Sequence, residues 1–391
     1  MTGPSSRHRT AFVPQPPGAP RTASRNRSSV PDLLFEDTQE ARLAEIAPLL
    51  GHPEGLGPDT PLHRLTVLVT DRCNLACTYC KTIPRDGPPA ARRAPGRTFD
   101  LAAFARLLET HAGTSIRHVH FTGGEASAVA ALPAMIRRAR AEGVVHQSLT
   151  TNGTLPPARY LALVEAGLSE VRVSLDAGDA AQGDALSGRR GAWDAAVRTL
   201  TALGAARRAG APFFLVVNTV VGLANRRRLP ATARFLLELG PDDLKLITEV
   251  DGREALGDFP EAGAVRSALE ALLAEHPSQA LPLLRRKLRT VFATDAIGLE
   301  PERRRPAGAA PWRCYVPLTE RTVDAERYYP CSVYLREGGA PLGLVSEPAH
   351  AQRARTARFV READCLADPI CRRYCLHCTR TFNARANEVA A

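Results

Sequence analysis

The chain has 391 residues, 44% of them hydrophobic, enough for a full core in one large domain with a smaller module beside it, which excludes a fibrous or disordered protein. Its formal charge of +10 is spread along an arginine-rich sequence, so it reads as compositional bias at least as readily as affinity for nucleic acid, phosphate or acidic substrates. No apolar stretch approaches the roughly 20 residues of a membrane span, since even 213–221 is broken by Asn218, and nine cysteines without a secretory signal point to metal binding in a reducing cytoplasm before disulfides.

In chain order, the first 31 residues hold Pro4, Pro14, Pro16, Pro17 and Pro20 with five arginines and no acidic residue, and are expected to be disordered. Such a leader also fits an organelle transit peptide, but it lacks a clear amphipathic helix. A short helix over 37–50 and a Gly/Pro linker complete an N-terminal segment, 1–60, too small for an independent binding domain. From Leu65 on, short β-branched runs alternate with amphipathic segments. Strands are expected at 65–70, 117–122, 147–151, 170–176, 213–221 and 244–250, with helices at 101–111 (after an Asp100 cap), 128–141, 158–166, 193–208 and 228–239. Six βα units in a row predict an α/β fold: a parallel sheet curved into a partial (β/α)6 TIM-type barrel over 61–255, with its chemistry at the C-terminal strand ends. A helical connector, 256–310, and a cysteine-rich domain, 311–391, follow.

Directly after the first strand stands Asp71-Arg72-Cys73-Asn74-Leu75-Ala76-Cys77-Thr78-Tyr79-Cys80, a C-x3-C-x2-C run on one loop. Three thiolates so close bind three irons of a [4Fe-4S] cube and leave the fourth open to another ligand; a zinc knuckle with a remote fourth ligand is the alternative. The second strand ends in Thr122-Gly123-Gly124-Glu125, where the glycines let backbone approach a ligand. The third ends Thr150-Thr151-Asn152-Gly153 and the fourth Val173-Ser174-Leu175-Asp176, while Asn218 stands alone in an apolar fifth strand, where a buried amide needs partners. Each is commonly a strand-ending turn when taken singly. Arg189 and Arg190 follow a Ser-Gly turn and fit a solvated loop as well as a carboxylate or phosphate contact.

Together these residues resemble the radical S-adenosylmethionine (SAM) superfamily over about 65–250. The resemblance implies that Cys73, Cys77 and Cys80 hold a [4Fe-4S] cluster, that Gly123, Gly124 and Glu125 hold the amino group of SAM, with the Glu125 charge against the ammonium, and that Asn152, Ser174 and Asn218 contact the rest of it. It implies reductive cleavage of SAM to a 5′-deoxyadenosyl radical that takes a hydrogen atom from a substrate, with an electron donor such as flavodoxin or ferredoxin.

After Cys80 no cysteine appears until Cys314, and then six fall within 65 residues: Cys314, Cys331, Cys365, Cys371, Cys375 and Cys378. Cys314 and Cys331 flank an expected hairpin over 320–329. The set resembles the auxiliary-cluster extensions called SPASM and twitch. Cys314, Cys331, Cys375 and Cys378 suit twitch, and Cys365-x5-Cys371-x3-Cys375 suits the tail of SPASM, although Glu362 stands where that pattern has a cysteine. Six thiols fall short of the eight that two cubes need, so one auxiliary cluster is expected. The substrate is expected to be a small polar metabolite (sugar, aminocyclitol or nucleotide), because residues 1–60 cannot supply the leader-binding domain common in peptide maturases. A peptide maturase is the second reading, and a zinc-bound nucleic-acid module the non-enzyme alternative.

Overall fold

The computed structural model describes residues 36–80, 97–111, 116–249, 260–277, 281–290 and 311–390; residues 1–35 lie outside it. Six strands, β1 (Arg64–Thr70), β2 (His118–Gly123), β3 (His146–Thr151), β4 (Glu170–Ser174), β5 (Phe214–Val221) and β6 (Asp243–Thr248), pair in parallel, each with its sequence neighbour. On the free side of β1 the sheet continues with β7 (Glu320–Val323), parallel to β1, and then β8 (Arg327–Tyr329) and β9 (Gly343–Leu344), antiparallel. The order is β6-β5-β4-β3-β2-β1-β7-β8-β9. This is the expected parallel α/β sheet, and the 320–329 hairpin forms as β7 and β8.

Alternation along the strands sorts two faces. Leu65, Val67, Val119, Phe121, Leu149, Val171, Val173, Leu215, Val217, Leu244 and Leu246 lie in one buried core with the apolar faces of the helices. The helix Leu101–Glu109 contributes Phe104, Leu107 and Leu108, and Leu132–Ala141 contributes Leu132, Met135, Ile136 and Ala139. Each such side chain is worth about 1.5–3 kcal/mol when fully buried. Asp100 caps the first of these helices as expected, its carboxylate accepting from Ala103 N at 2.6 Å. The opposite face is polar, carrying His118, His120, Ser148, Thr150, Glu170, Arg172 and Asn218 at alternate positions. At its lower edge the helix Pro282–Thr290 seats Leu283 against Val216, and Asp243 accepts from Leu283 N at 2.8 Å.

A second core joins the two ends of the chain. Ile46, Leu49 and Leu50 of the helix Glu36–Leu50 pack with Tyr315, Val316, Leu318, Val360, Phe382 and three buried cysteines. Arg42 is buried at this junction, its guanidinium bonded to Thr319 and to Glu320 (3.1 Å) and 4.9 Å from the Phe382 ring centroid. The N-terminal helix therefore belongs structurally with the C-terminal module. Among the described residues no helix is long and apolar enough to cross a membrane.

Candidate active site

The cysteine loop leaves β1 at Thr70 and is tied down mainly by backbone. Ala76 N and Thr78 N donate to Ser187 O and Leu186 O (both 3.0 Å), while Glu125 N donates to Arg72 O (2.8 Å) and Gly124 N to Thr70 O (2.6 Å). Cys73, Cys77 and Cys80 are all partly exposed. Cys73 Sγ accepts from Leu75 N at 3.4 Å and from Asn152 Nδ2 at 3.8 Å. Burial, followed by the Asp176 carboxylate and the two neighbouring thiols, pushes the Cys77 thiol up to about 12; burial also raises Cys73. Three thiolates crowded on one loop repel one another unless a cationic centre sits among them, so this donor set suits a metal cluster.

Gly123 and Gly124 are glycines for a steric reason. Gly123 has φ +135°, and a Cβ on either residue would run into backbone of the cysteine loop, at the Thr70 and Arg72 carbonyl oxygens respectively. Glu125 is engaged within the protein. Its side chain is 1% exposed, and its Oε1 accepts from Thr151 Oγ1 (2.6 Å), Ser127 N (3.1 Å) and Ser127 Oγ, while Oε2 accepts from Asn152 N (2.8 Å). Both oxygens are turned inward, where they join the end of β2 to the end of β3. Burial raises its pKa against the pull of these donors.

Asn152 reaches back to the cysteine loop, donating to Asn74 Oδ1 at 2.8 Å. Ser174, the last residue of β4, and Asn218, midway along β5, are direct register partners, with Lys245 beside Asn218 on β6. Asn218 is 6% exposed, and its Oδ1 has no hydrogen-bond partner among the described residues. An orphaned buried acceptor level with the end of the neighbouring strand marks a place where a ligand donor fits. Arg189 donates to Asn74 O at 3.4 Å on the same loop, whereas Arg227 and Arg228 form exposed ion pairs with Glu261 and Asp179.

Two further residues belong to the site. Asp176 accepts from Tyr79 OH and from Val220 N (2.7 Å), anchoring the aromatic residue of the cysteine loop to the end of β4; burial pushes its carboxyl up to about 6. Trp193 closes a cavity lined by Cys77, Tyr79, Ser174 and Asp176, its Nε1 donating to Ala177 O at 2.9 Å. Asp176 was visible in sequence only as a strand end, because its partner lies 97 residues away.

The C-terminal thiols gather in the second core. Cys314 is hydrogen-bonded to Cys365, which also contacts Cys371, and Cys331 is within electrostatic reach of Cys314 and Cys371. Cys365 is raised by its two thiol neighbours, and its hydrogen bond holds Cys314 below the usual thiol range. Asn383 Nδ2 donates to Cys314 Sγ (3.4 Å), Tyr334 N to Cys331 Sγ (3.4 Å), and Cys375 is buried in the same core. The Cys378 side chain lies outside the described residues. This grouping takes members from both sequence patterns, Cys314 and Cys331 from one, Cys365 and Cys371 from the other. Glu362 is a surface residue paired with Arg358 at 2.9 Å. Among the described residues no three such side chains converge as ligands of a single ion would; the ligands of a cube sit on separate irons and are not asked to.

Residues 67–236 match the Radical SAM superfamily. The chain is 38% identical over 111 residues to GTP 3',8-cyclase of Chlorobaculum tepidum, covering 28% of this chain and 32% of that protein. It is 32% identical over 192 residues to PqqA peptide cyclase of Xanthomonas euvesicatoria pv. vesicatoria, covering 48% of each. The chain thus spans about a third to a half of the length of the curated relatives it matches. Among solved structures, Streptococcus suis SuiB bound to precursor peptide SuiA superposes with a TM-score of 0.56 at 15% identity, over 86% of this chain and 75% of that one. Native anSMEcpe with bound AdoMet and Cp18Cys peptide gives 0.51 at 15% identity, over 84% and 95%. These two likenesses are of fold.

Proposed function

From a chain whose residues 67–236 match the radical SAM superfamily, we propose an enzyme that cleaves SAM reductively and takes a hydrogen atom from a substrate held between two iron-sulfur sites. Cys73, Cys77 and Cys80 would hold the [4Fe-4S] cluster at which SAM binds. The backbone around Gly123 and Gly124 would meet the SAM amino group, with Glu125 keeping that backbone in place from beneath. Asn218, through its unpaired oxygen, and Ser174 beside it would contact the ribose and carboxylate, and Asn152 would fix the loop. When bound, the cluster and SAM supply a hydrogen-abstracting 5′-deoxyadenosyl group. Cys314, Cys331, Cys365 and Cys371 would hold one auxiliary cluster, leaving Cys375 and Cys378 to spare. A flavodoxin- or ferredoxin-type protein would supply the electron.

One observation carries the two-site reading. Arg336, an exposed residue, has both Cys331 and Cys80 among the groups that favour its charge, which supports a reading in which the two thiol sets face a common space. A peptide substrate is the reading we favour: a solved structure of similar fold, whose length this chain covers to 95%, holds a bound peptide. The polar inner face, with His120, Thr150 and Arg172, favours a small polar metabolite as the second reading.

Anaerobic iron and sulfide analysis with EPR tests the proposal. Wild type is expected to carry about eight irons, falling to about four when Cys73, Cys77 and Cys80 are all changed to Ala, with loss of methionine release from SAM. Zinc without iron overturns it. To separate the substrate classes, a perdeuterated lysate is split by size and each fraction assayed for deuterium transfer into 5′-deoxyadenosine; transfer from the peptide fraction supports the first reading and transfer from the small-molecule fraction the second.

A further inference from the structure

Below the strand ends, the inner face of β2, β3 and β4 carries polar side chains that the cofactor contacts do not use. Ser148 Oγ lies 2.7 Å from His118 Nε2 and 2.7 Å from His120 Nδ1. His120 Nε2 lies 3.3 Å from Thr150 Oγ1, two residues nearer the mouth than Ser148. The His118 ring meets that of His146 edge-on, with centroids 4.8 Å apart, and His146 Nε2 is 3.0 Å from Glu170, which also takes Arg172 Nε at 2.7 Å. His118 is buried, and His120 is partly exposed.

Ser148 is fully buried and its hydroxyl meets these two ring nitrogens alone among the described residues; accepting from both would leave its own proton buried and unpaired, so it donates to one and accepts from the other. Either His118 gives its Nε2 proton to Ser148, which then donates to His120 Nδ1, or the sequence runs in reverse. His118 Nδ1 decides between them, because it is buried with no partner among the described residues. In the reverse order it would be an orphaned N–H donor, and in the first it is a bare lone pair; buried unpaired donors are the rarer of the two. His118 has to remain neutral for this to hold. The charged and titratable groups facing it, Arg64 on β1, His146 on β3 and Arg172 on β4, with His120 on its own strand, all disfavour a further positive charge there, as does burial itself.

We propose that His118 and Ser148 fix His120 as the tautomer protonated at Nε2, so that this N–H, in long 3.3 Å contact with Thr150 Oγ1, is shared with a carbonyl, hydroxyl or carboxylate oxygen of a substrate at the strand ends. This rests on the reading that the substrate lies in the barrel. His120 is then a positioning contact for the substrate, and Ser148 acts through it.

The tautomer is read without iron or SAM, by two-bond 1H–15N spectra of histidine-labelled protein, with His120 assigned from its loss in His120→Gln. Wild type and Ser148→Thr should show His120 protonated at Nε2, and Ser148→Ala a mixture of tautomers. An Nδ1-protonated His120 in wild type, or no change in Ser148→Ala, overturns the relay whether or not the protein proves to be a SAM enzyme. In the reconstituted enzyme, the concentration of the deuterium-donating lysate fraction that gives half-maximal transfer should rise about fivefold in His120→Phe and much less in His120→Gln, which keeps an N–H donor. An unchanged value in His120→Phe overturns the substrate contact.

Discussion

Asn218 leaves its side-chain oxygen buried and unpaired among the described residues, a state that costs about 1–3 kcal/mol in a protein with nothing bound there. Replacing it with Ala should weaken SAM binding about fivefold in calorimetric titration of the reconstituted protein, while the urea midpoint holds or rises, since an unsatisfied acceptor has been removed. Glu125 is the opposite case. Glu125→Ala strips the acceptor from Thr151, Ser127 and Asn152 N at once and should cost about 2–4 kcal/mol in urea unfolding, with Glu125→Gln losing less because it keeps one acceptor. These two residues also mark how far single positions were legible. An amide in an apolar strand announces a need for partners, so Asn218 could be singled out from sequence. A carboxylate announces only charge, and the sequence contains no sign that Thr151 and Ser127 would enclose Glu125. The thiols of the first loop were legible because their spacing is local, whereas the convergence of Cys314 with Cys365 depends on packing between distant segments.

At the scale of elements, the strand and helix pattern from β1 to β6 was legible because apolar alternation and helical periodicity are local signals, and observed strand starts fall within one residue of those expected. The helix Ala180–Ser187 was missed. It contains Gly183, which as a sequence feature reads as a breaker, yet a Cβ there would strike the Trp193 ring, so the glycine serves packing. The two-residue β9 has too little pattern to find. The joint between the cysteine loop and β2 depends on backbone meeting backbone, and Gly124→Ala should prise it open. The expected outcome is protein that folds, with near-native far-UV circular dichroism, but keeps less than about half of the wild-type iron at the first site, the auxiliary iron being retained.

For the whole molecule, acid is expected to act through buried histidines. His118 is held well below 6.5 and His111 is lowered to about 3, both mainly by burial. The unfolded chain takes up protons below pH 6.5 that these rings refuse, so each contributes stability that is intact above 6.5 and lost as pH falls toward the folded value, by up to about 1.4 kcal/mol per pH unit. Asp176, pushed up to about 6, acts with the opposite sign from about pH 7 downward and offsets part of this loss, and Glu125, also raised, acts in the same sense. Urea unfolding at pH 7.5, 6.5 and 6.0 should therefore show a loss below 6.5 that is shallower in His118→Gln; equal slopes would contradict it. The sheet itself has a further consequence. β1 is paired on one side with β2 and on the other with β7, in the register Leu65 to Arg321 and Val67 to Val323. Exchanging the C-terminal module for one from another protein thus has to reproduce a strand ladder, residue for residue, as well as fuse a linker. A shortened chain ending before β7 would turn the central β1 into a raw edge open to pairing with other chains. The six-stranded sheet and the C-terminal module share one ladder, and engineering that treats them as interchangeable cassettes should yield aggregates.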